Sequence, residues 1–141
     1  TIPPAAQPAS LPSGAALDVA GITPIVVPND RFYRIDTALL SPNVDVGSWR
    51  LTIKGLVDRE TVLTYDDLAE LPIVEQYVTI ACVSNEVGGN LVGNARWTGV
   101  RLREVLDIAG VQSGATQLVG RSVDGWTACR PSGSWTRPAS R

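Results

Sequence analysis

Turn formers and helix breakers recur along this 141-residue sequence and keep its helices short. Pro24 and the run Pro28-Asn29-Asp30 punctuate the apolar residues that follow Gly21, because proline fixes φ and lacks an N–H. Trp49 to Val57 alternates apolar and polar residues over its first half, the period of a half-buried strand. Asp58-Arg59-Glu60 turns the chain, and Thr61 to Leu63 returns as a second short strand. Thr64 is placed as an N-cap with Asp67 three residues on, which predicts a helix from Tyr65 to Glu70 stopped by Pro72. Val74 to Val83 reads as a buried strand, with Val78, Ile80 and Cys82 on one side, leading into a loop over Ser84–Asn94. Leu102, Val105, Leu106 and Ala109 share a helical face that Gly110 ends. Thr116 to Val123 is a further strand, and Asp124-Gly125 a turn into Trp126. The sum is a mixed, strand-rich α+β domain with short helices.

Both ends depart from this pattern. Residues 1–17 hold four prolines, five alanines and no charge, so residues 1–22 read as an extended linker. The stretch CRPSGSWTRPASR, residues 129–141, has three arginines, two prolines and no aliphatic side chain larger than alanine. A strand should follow the Asp124-Gly125 turn, yet these residues give no pattern that would sustain one.

The composition excludes several kinds of function. With 44% apolar and 18% charged residues the chain is an ordinary globular one, and no stretch approaches a membrane span. A net charge of −2 without any basic block argues against nucleic-acid binding. The absence of histidine removes Ser-His-Asp and Cys-His catalysis and the His-based zinc and iron sites. Chemistry here must come from Cys, Asp, Glu, Arg, Tyr or a cofactor.

The stretch that could carry chemistry is Thr79 to Trp97, TIACVSNEVGGNLVGNARW. It sets Cys82 at the end of a strand that opens onto a Gly/Asn-rich loop. Glycines let backbone approach a ligand closely, and such turns can converge N–H groups on an anion. Arg96, Arg34 and Arg31 could add charge-assisted bonds to the same anion. On spacing alone, however, Cys82 reads as a small core hydrophobe, because one cysteine makes no metal motif. A Cys82–Cys129 disulfide is a further alternative.

These residues resemble the sulfite-oxidase family of molybdopterin-dependent oxidoreductases from about Thr23 to Ala128. The resemblance is carried by Asn29-Asp30-Arg31-Phe32-Tyr33-Arg34-Ile35-Asp36, by Trp49-Arg50-Leu51 to Val57, and by Leu63-Thr64-Tyr65-Asp66-Asp67-Leu68. It continues through the cysteine strand Thr79–Cys82 and Gly93-Asn94-Ala95-Arg96-Trp97-Thr98-Gly99-Val100 into Leu102–Ala109. It implies a sulfite-oxidase-type molybdopterin-binding fold over residues 23–128 and the molybdenum cofactor. Cys82 would be the protein thiolate on molybdenum and the catalytic residue, because a soft, deprotonated sulfur suits that metal. Tyr33, Arg34, Asn85 and Arg96 would contact pterin or phosphate. The implied reaction is two-electron oxygen-atom transfer on a small oxyanion or sulfoxide, with a haem or cytochrome as electron partner.

Members of the family continue well beyond Ala128 with further cofactor-binding residues. The expectation is therefore a domain incomplete at its C-terminus, with residues 129–141 an atypical tail from a truncated or frameshifted gene. Two other readings stand beside it: an inactive remnant, and a small non-enzymatic interaction module with Cys82 in its core. The Pro/Ala-rich opening resembles the linker after an export or membrane segment in bacterial members, which implies an extracytoplasmic or membrane-associated protein tethered by an upstream segment.

Overall fold

The computed structural model describes residues 2–36 and 38–131. They form two compact units, each assembled from separate stretches of chain. Residues 38–72 and 100–131 make one, and Ile2–Asp36 with Ile73–Gly99 make the other.

The first unit opens with strands β1 (Arg50–Ile53) and β2 (Thr61–Thr64), an antiparallel pair that sets Leu51 opposite Leu63. Helix α1 (Tyr65–Ala69) follows directly, started by a capping box. The Asp67 N–H donates to Thr64 Oγ1 at 3.1 Å, and the Thr64 N–H donates to the Asp67 carboxylate at 2.7 Å. Two helix-end donors are thereby satisfied reciprocally.

Helix α2 (Leu102–Ala109) buries Val105, Leu106 and Ala109 and ends at Gly110, whose φ of 70° is the left-handed conformation that only glycine adopts freely. The Asp58 turn closes onto this end. Asp58 N–H donates to Gly110 O at 2.8 Å, Arg59 N–H to Ala109 O at 3.2 Å, and Arg59 Nε to Ile108 O at 3.2 Å. Carbonyls that a helix C-terminus leaves unsatisfied thus find donors, one of them a cation favoured by the helix dipole. A Cβ at Gly110 would stand 2.5 Å from Asp58 Oδ2, so the close approach also requires glycine.

Cys129, Arg130 and Pro131 do lie in a strand, contrary to the expectation that nothing beyond the Asp124-Gly125 turn would sustain one. Strand β6 (Thr127–Pro131) pairs antiparallel with β5 (Gln117–Arg121) in a five-residue register from Gln117↔Pro131 to Arg121↔Thr127. The reason is that a hairpin is held by backbone bonds and its turn. Ser122 N–H donates to Trp126 O at 2.9 Å, Gly125 takes φ 86°, and Trp126 N–H donates to Asp124 Oδ1 at 3.2 Å. An apolar face is not required for that. The rest of the expected tail, from residue 132, lies outside the described residues.

The second unit is built on the pair β3 (Ile73–Ala81) and β4 (Val92–Val100). β4 was not expected as a strand. Val27 N–H donates to Asn94 O at 2.8 Å and the Asn94 amide to Ile25 O at 2.6 Å, so the N-terminal segment runs along β4. The described residues of the Pro/Ala-rich opening form no helix or strand, yet they are anchored: Ala5 is buried and Ala9 N–H donates to Glu75 Oε2 at 3.1 Å. β3 is less buried than its apolar run suggests, with Val78 and Ile80 both exposed.

Core residues are few and small among those described. Leu106, 4% exposed, is the most enclosed large side chain, and Leu39, Val83 and Val87 are fully exposed. Leu106→Ala should lower unfolding free energy by about 2–5 kcal/mol, read by urea denaturation. A loss below ~1 kcal/mol would show that α2 is not held through this face.

Candidate functional site

All five candidate residues fall in the second unit, and the register between β3 and β4 sorts them. Cys82 N–H donates to Leu91 O at 2.9 Å, Thr79 Oγ1 to Asn94 Oδ1 at 3.2 Å, and Thr98 Oγ1 to Glu75 Oε1 at 3.5 Å. The partners run in opposite directions along the two strands, as in an antiparallel ladder. Because side chains alternate, Glu75, Thr79, Asn94, Arg96 and Thr98 share one face. Gly93, Ala95 and Trp97 share the other, and Cys82 follows Val78 and Ile80 onto that second face.

Arg96 is thereby separated from Cys82. Its Nε lies 4.0 Å from Glu75 Oε2, on the face where Glu75 also accepts from Ala9. It stands five residues along β4 from Leu91, roughly 16 Å at about 3.3 Å per residue. The register thus places Arg96 and Cys82 on opposite faces of the strand pair.

Phe32 and Tyr33 lie on the cysteine-bearing face. The Phe32 ring stands over Gly93, where a Cβ would come within 2.7 Å, and meets Trp97 edge-on at 5.9 Å. Tyr33 stacks on Phe32 at 5.1 Å. The bare α-carbon of Gly93 lets an aromatic ring seat on the strand. Arg34 pairs with Asp36 at 2.8 Å, with both side chains substantially exposed.

Cys82 sits one residue beyond β3, half-buried, and both it and the exposed Cys129 are free thiols, so the disulfide alternative is not realised. Its carbonyl accepts the Asn85 N–H at 3.0 Å, closing a turn with Val83 and Ser84 at its centre. A second turn follows, with Gly89 N–H donating to Glu86 O at 2.8 Å and Gly88 at φ 76°. Asn85 braces the two: its Oδ1 accepts the Leu91 N–H at 2.8 Å. Asn85 is thus the residue that shapes the loop, using an oxygen that would otherwise be open to a ligand.

The Cys82 sulfur lies 3.1 Å from Ser84 Oγ. That hydroxyl, followed by the Ser84 backbone, holds the Cys82 thiol below its ordinary pKa, against a smaller opposing effect of burial. Ser84 was missed in the sequence; its position two residues after the cysteine, inside a turn, was the available signal. No group of three or more His, Cys, Asp or Glu gathers among the described residues. The site therefore offers one soft sulfur donor.

With this geometry in view, comparison with known proteins gives the class. The family model of the oxidoreductase molybdopterin binding domain matches residues 38–139, and the chain belongs to that family. The match contains Cys82, Asn85 and Arg96, begins after Tyr33 and Arg34, and continues past Ala128. An NADH nitrate reductase from Ulva prolifera is 39% identical over 90 residues, covering 52% of this chain and 10% of that protein. A sulfite oxidase from Arabidopsis thaliana is 28% identical over 120 residues, covering 73% and 30%. Among solved structures, the sulfane dehydrogenase SoxCD of Paracoccus pantotrophus superposes with a TM-score of 0.57 at 25% identity, over 64% of this chain and 27% of that one. The strand-rich chain thus has a sulfite-oxidase-type structural neighbour, and it spans well under half the length of each of these relatives.

Asn85→Ala should free the Leu91 N–H and loosen the loop that follows Cys82. The expected loss is about 1–2 kcal/mol, with faster amide exchange at Leu91. Unchanged exchange there would show that Asn85 does not brace the loop.

Proposed function

We propose that this chain is part of the cofactor domain of a sulfite-oxidase-type molybdenum oxidoreductase, in which Cys82 supplies the protein thiolate to the metal. The observation that carries the proposal is a free, half-buried thiol at the end of β3, within the molybdopterin-family match, with a hydroxyl against its sulfur. The donor set fits: a lone soft sulfur, with no group of three or more His, Cys, Asp or Glu among the described residues, matches a metal held mainly by a cofactor's own sulfurs. When bound, the molybdenum cofactor would supply, at its metal, the two-electron redox change for oxygen-atom transfer on a small oxyanion or sulfoxide.

The chain's own residues have narrower tasks. Cys82 presents a deprotonated sulfur from a ladder-held backbone, and Asn85 keeps the loop in shape. Tyr33 and Arg34 are proposed contacts to the pterin or its phosphate. The stacking of Tyr33 on Phe32, on the face of Cys82, supports the first, and the exposure of the Arg34 guanidinium supports the second. Arg96 is left out of this set, because its ion pair with Glu75 lies on the opposite face. The remaining pocket residues, an electron partner of haem or cytochrome type, and an extracytoplasmic or membrane-associated setting belong to the same proposal. No helix among the described residues is long and apolar enough to cross a membrane.

Molybdenum and pterin per chain, measured after production in a host that makes the cofactor, test the reading. Wild type and Arg96→Ala should carry molybdenum near stoichiometrically, and Cys82→Ser should lose it. A folded wild type without molybdenum would return Cys82 to the role of a small apolar residue in a binding module.

A further inference from the structure

We propose that Ser84 is a positioning residue for the Cys82 sulfur, its hydroxyl donating a hydrogen bond that sets how strongly the thiolate binds and donates to the metal. The inference rests on the reading of Cys82 as the ligand given above. Ser84 Oγ lies 3.1 Å from Cys82 Sγ. A thiolate has no proton to give, so the serine must be the donor.

The turn explains why this residue can do so. The Asn85 N–H bond to the Cys82 carbonyl makes Val83 and Ser84 the two central residues. Val83 points fully into solvent, while Ser84 folds back beside the sulfur. The loop does not depend on that hydroxyl for its shape. It is held by Asn85 N–H to Cys82 O at 3.0 Å, Gly89 N–H to Glu86 O at 2.8 Å and Leu91 N–H to Asn85 Oδ1 at 2.8 Å. Removing the hydroxyl therefore changes the sulfur's environment and leaves its scaffold in place.

The consequence is electronic. A hydrogen bond to an anionic acceptor is stronger than a neutral one and draws electron density from the sulfur. A less electron-rich thiolate stabilises the oxidised metal less and raises its reduction potential, as hydrogen bonds to ligand sulfurs do in other metal sites. The same withdrawal moves sulfur-to-metal charge transfer to higher energy.

The test compares cofactor-loaded wild type, Ser84→Ala, Ser84→Gly, Ser84→Thr and Cys82→Ser by molybdenum content, visible charge-transfer absorption and redox titration. Ser84→Ala and Ser84→Gly should keep molybdenum but shift the band to longer wavelength and the potential to more negative values. Ser84→Thr, which retains a hydroxyl, should restore both. Bands and potentials in the alanine and glycine variants equal to wild type would overturn the proposal, as would a threonine variant displaced as far as alanine. If wild type holds molybdenum and Cys82→Ser loses it, such results strike only the role of Ser84. A wild type without molybdenum removes the ligand reading and this inference together.

Discussion

The backbone bond from Cys82 N–H to Leu91 O closes the β3–β4 ladder, and the arrangement of the site follows from it. That bond fixes the register, the register fixes which side chains share a face, and a slip of one residue would reverse every assignment. It also sets the cysteine at the last ladder position before the chain turns. A thiol held there has a rigid backbone on one side and an open loop on the other. Such a position would suit the proposed metal ligand, which must be held firmly without being sealed inside the core.

The unit beneath this site is organised by small residues in particular places. Gly93 accepts the Phe32 ring because it has no side chain to block it, and Tyr33 is stacked in turn. On the opposite face Glu75 gathers Ala9, Thr98 and Arg96, tying the N-terminal segment to the strands. The two faces have different duties. One anchors the chain's beginning, and the other carries the thiol and the aromatic pair.

What could be read in the sequence was local, and what could not be read was pairing. Thr64 with Asp67 announced α1, and the spacing of Leu102, Val105, Leu106 and Ala109 before Gly110 announced α2, because caps and helical periodicity are short-range signals. The position of Cys82 at a strand end was legible for the same reason. β4 was obscured by Gly93, Asn94 and Gly99, and β6 by Arg130 and Pro131, since both are sustained by backbone pairing with the strand before them and not by a side-chain pattern of their own. Arg96 was read as a cation for an anion at the loop after Cys82. Only the register, which no local pattern encodes, puts the two residues on opposite faces. The proposed ligand role of Cys82 came from resemblance across many segments, as a lone cysteine has no spacing to read.

Core residues are few among those described, and Leu39, Val83 and Val87 are fully exposed. The central claim is that the Cys82 sulfur is bonded to molybdenum, and X-ray absorption at the molybdenum edge of the cofactor-loaded protein addresses it most directly. The account predicts one more sulfur in the coordination shell than the cofactor supplies, lost in Cys82→Ser. A shell with the same sulfur count in both proteins would contradict it.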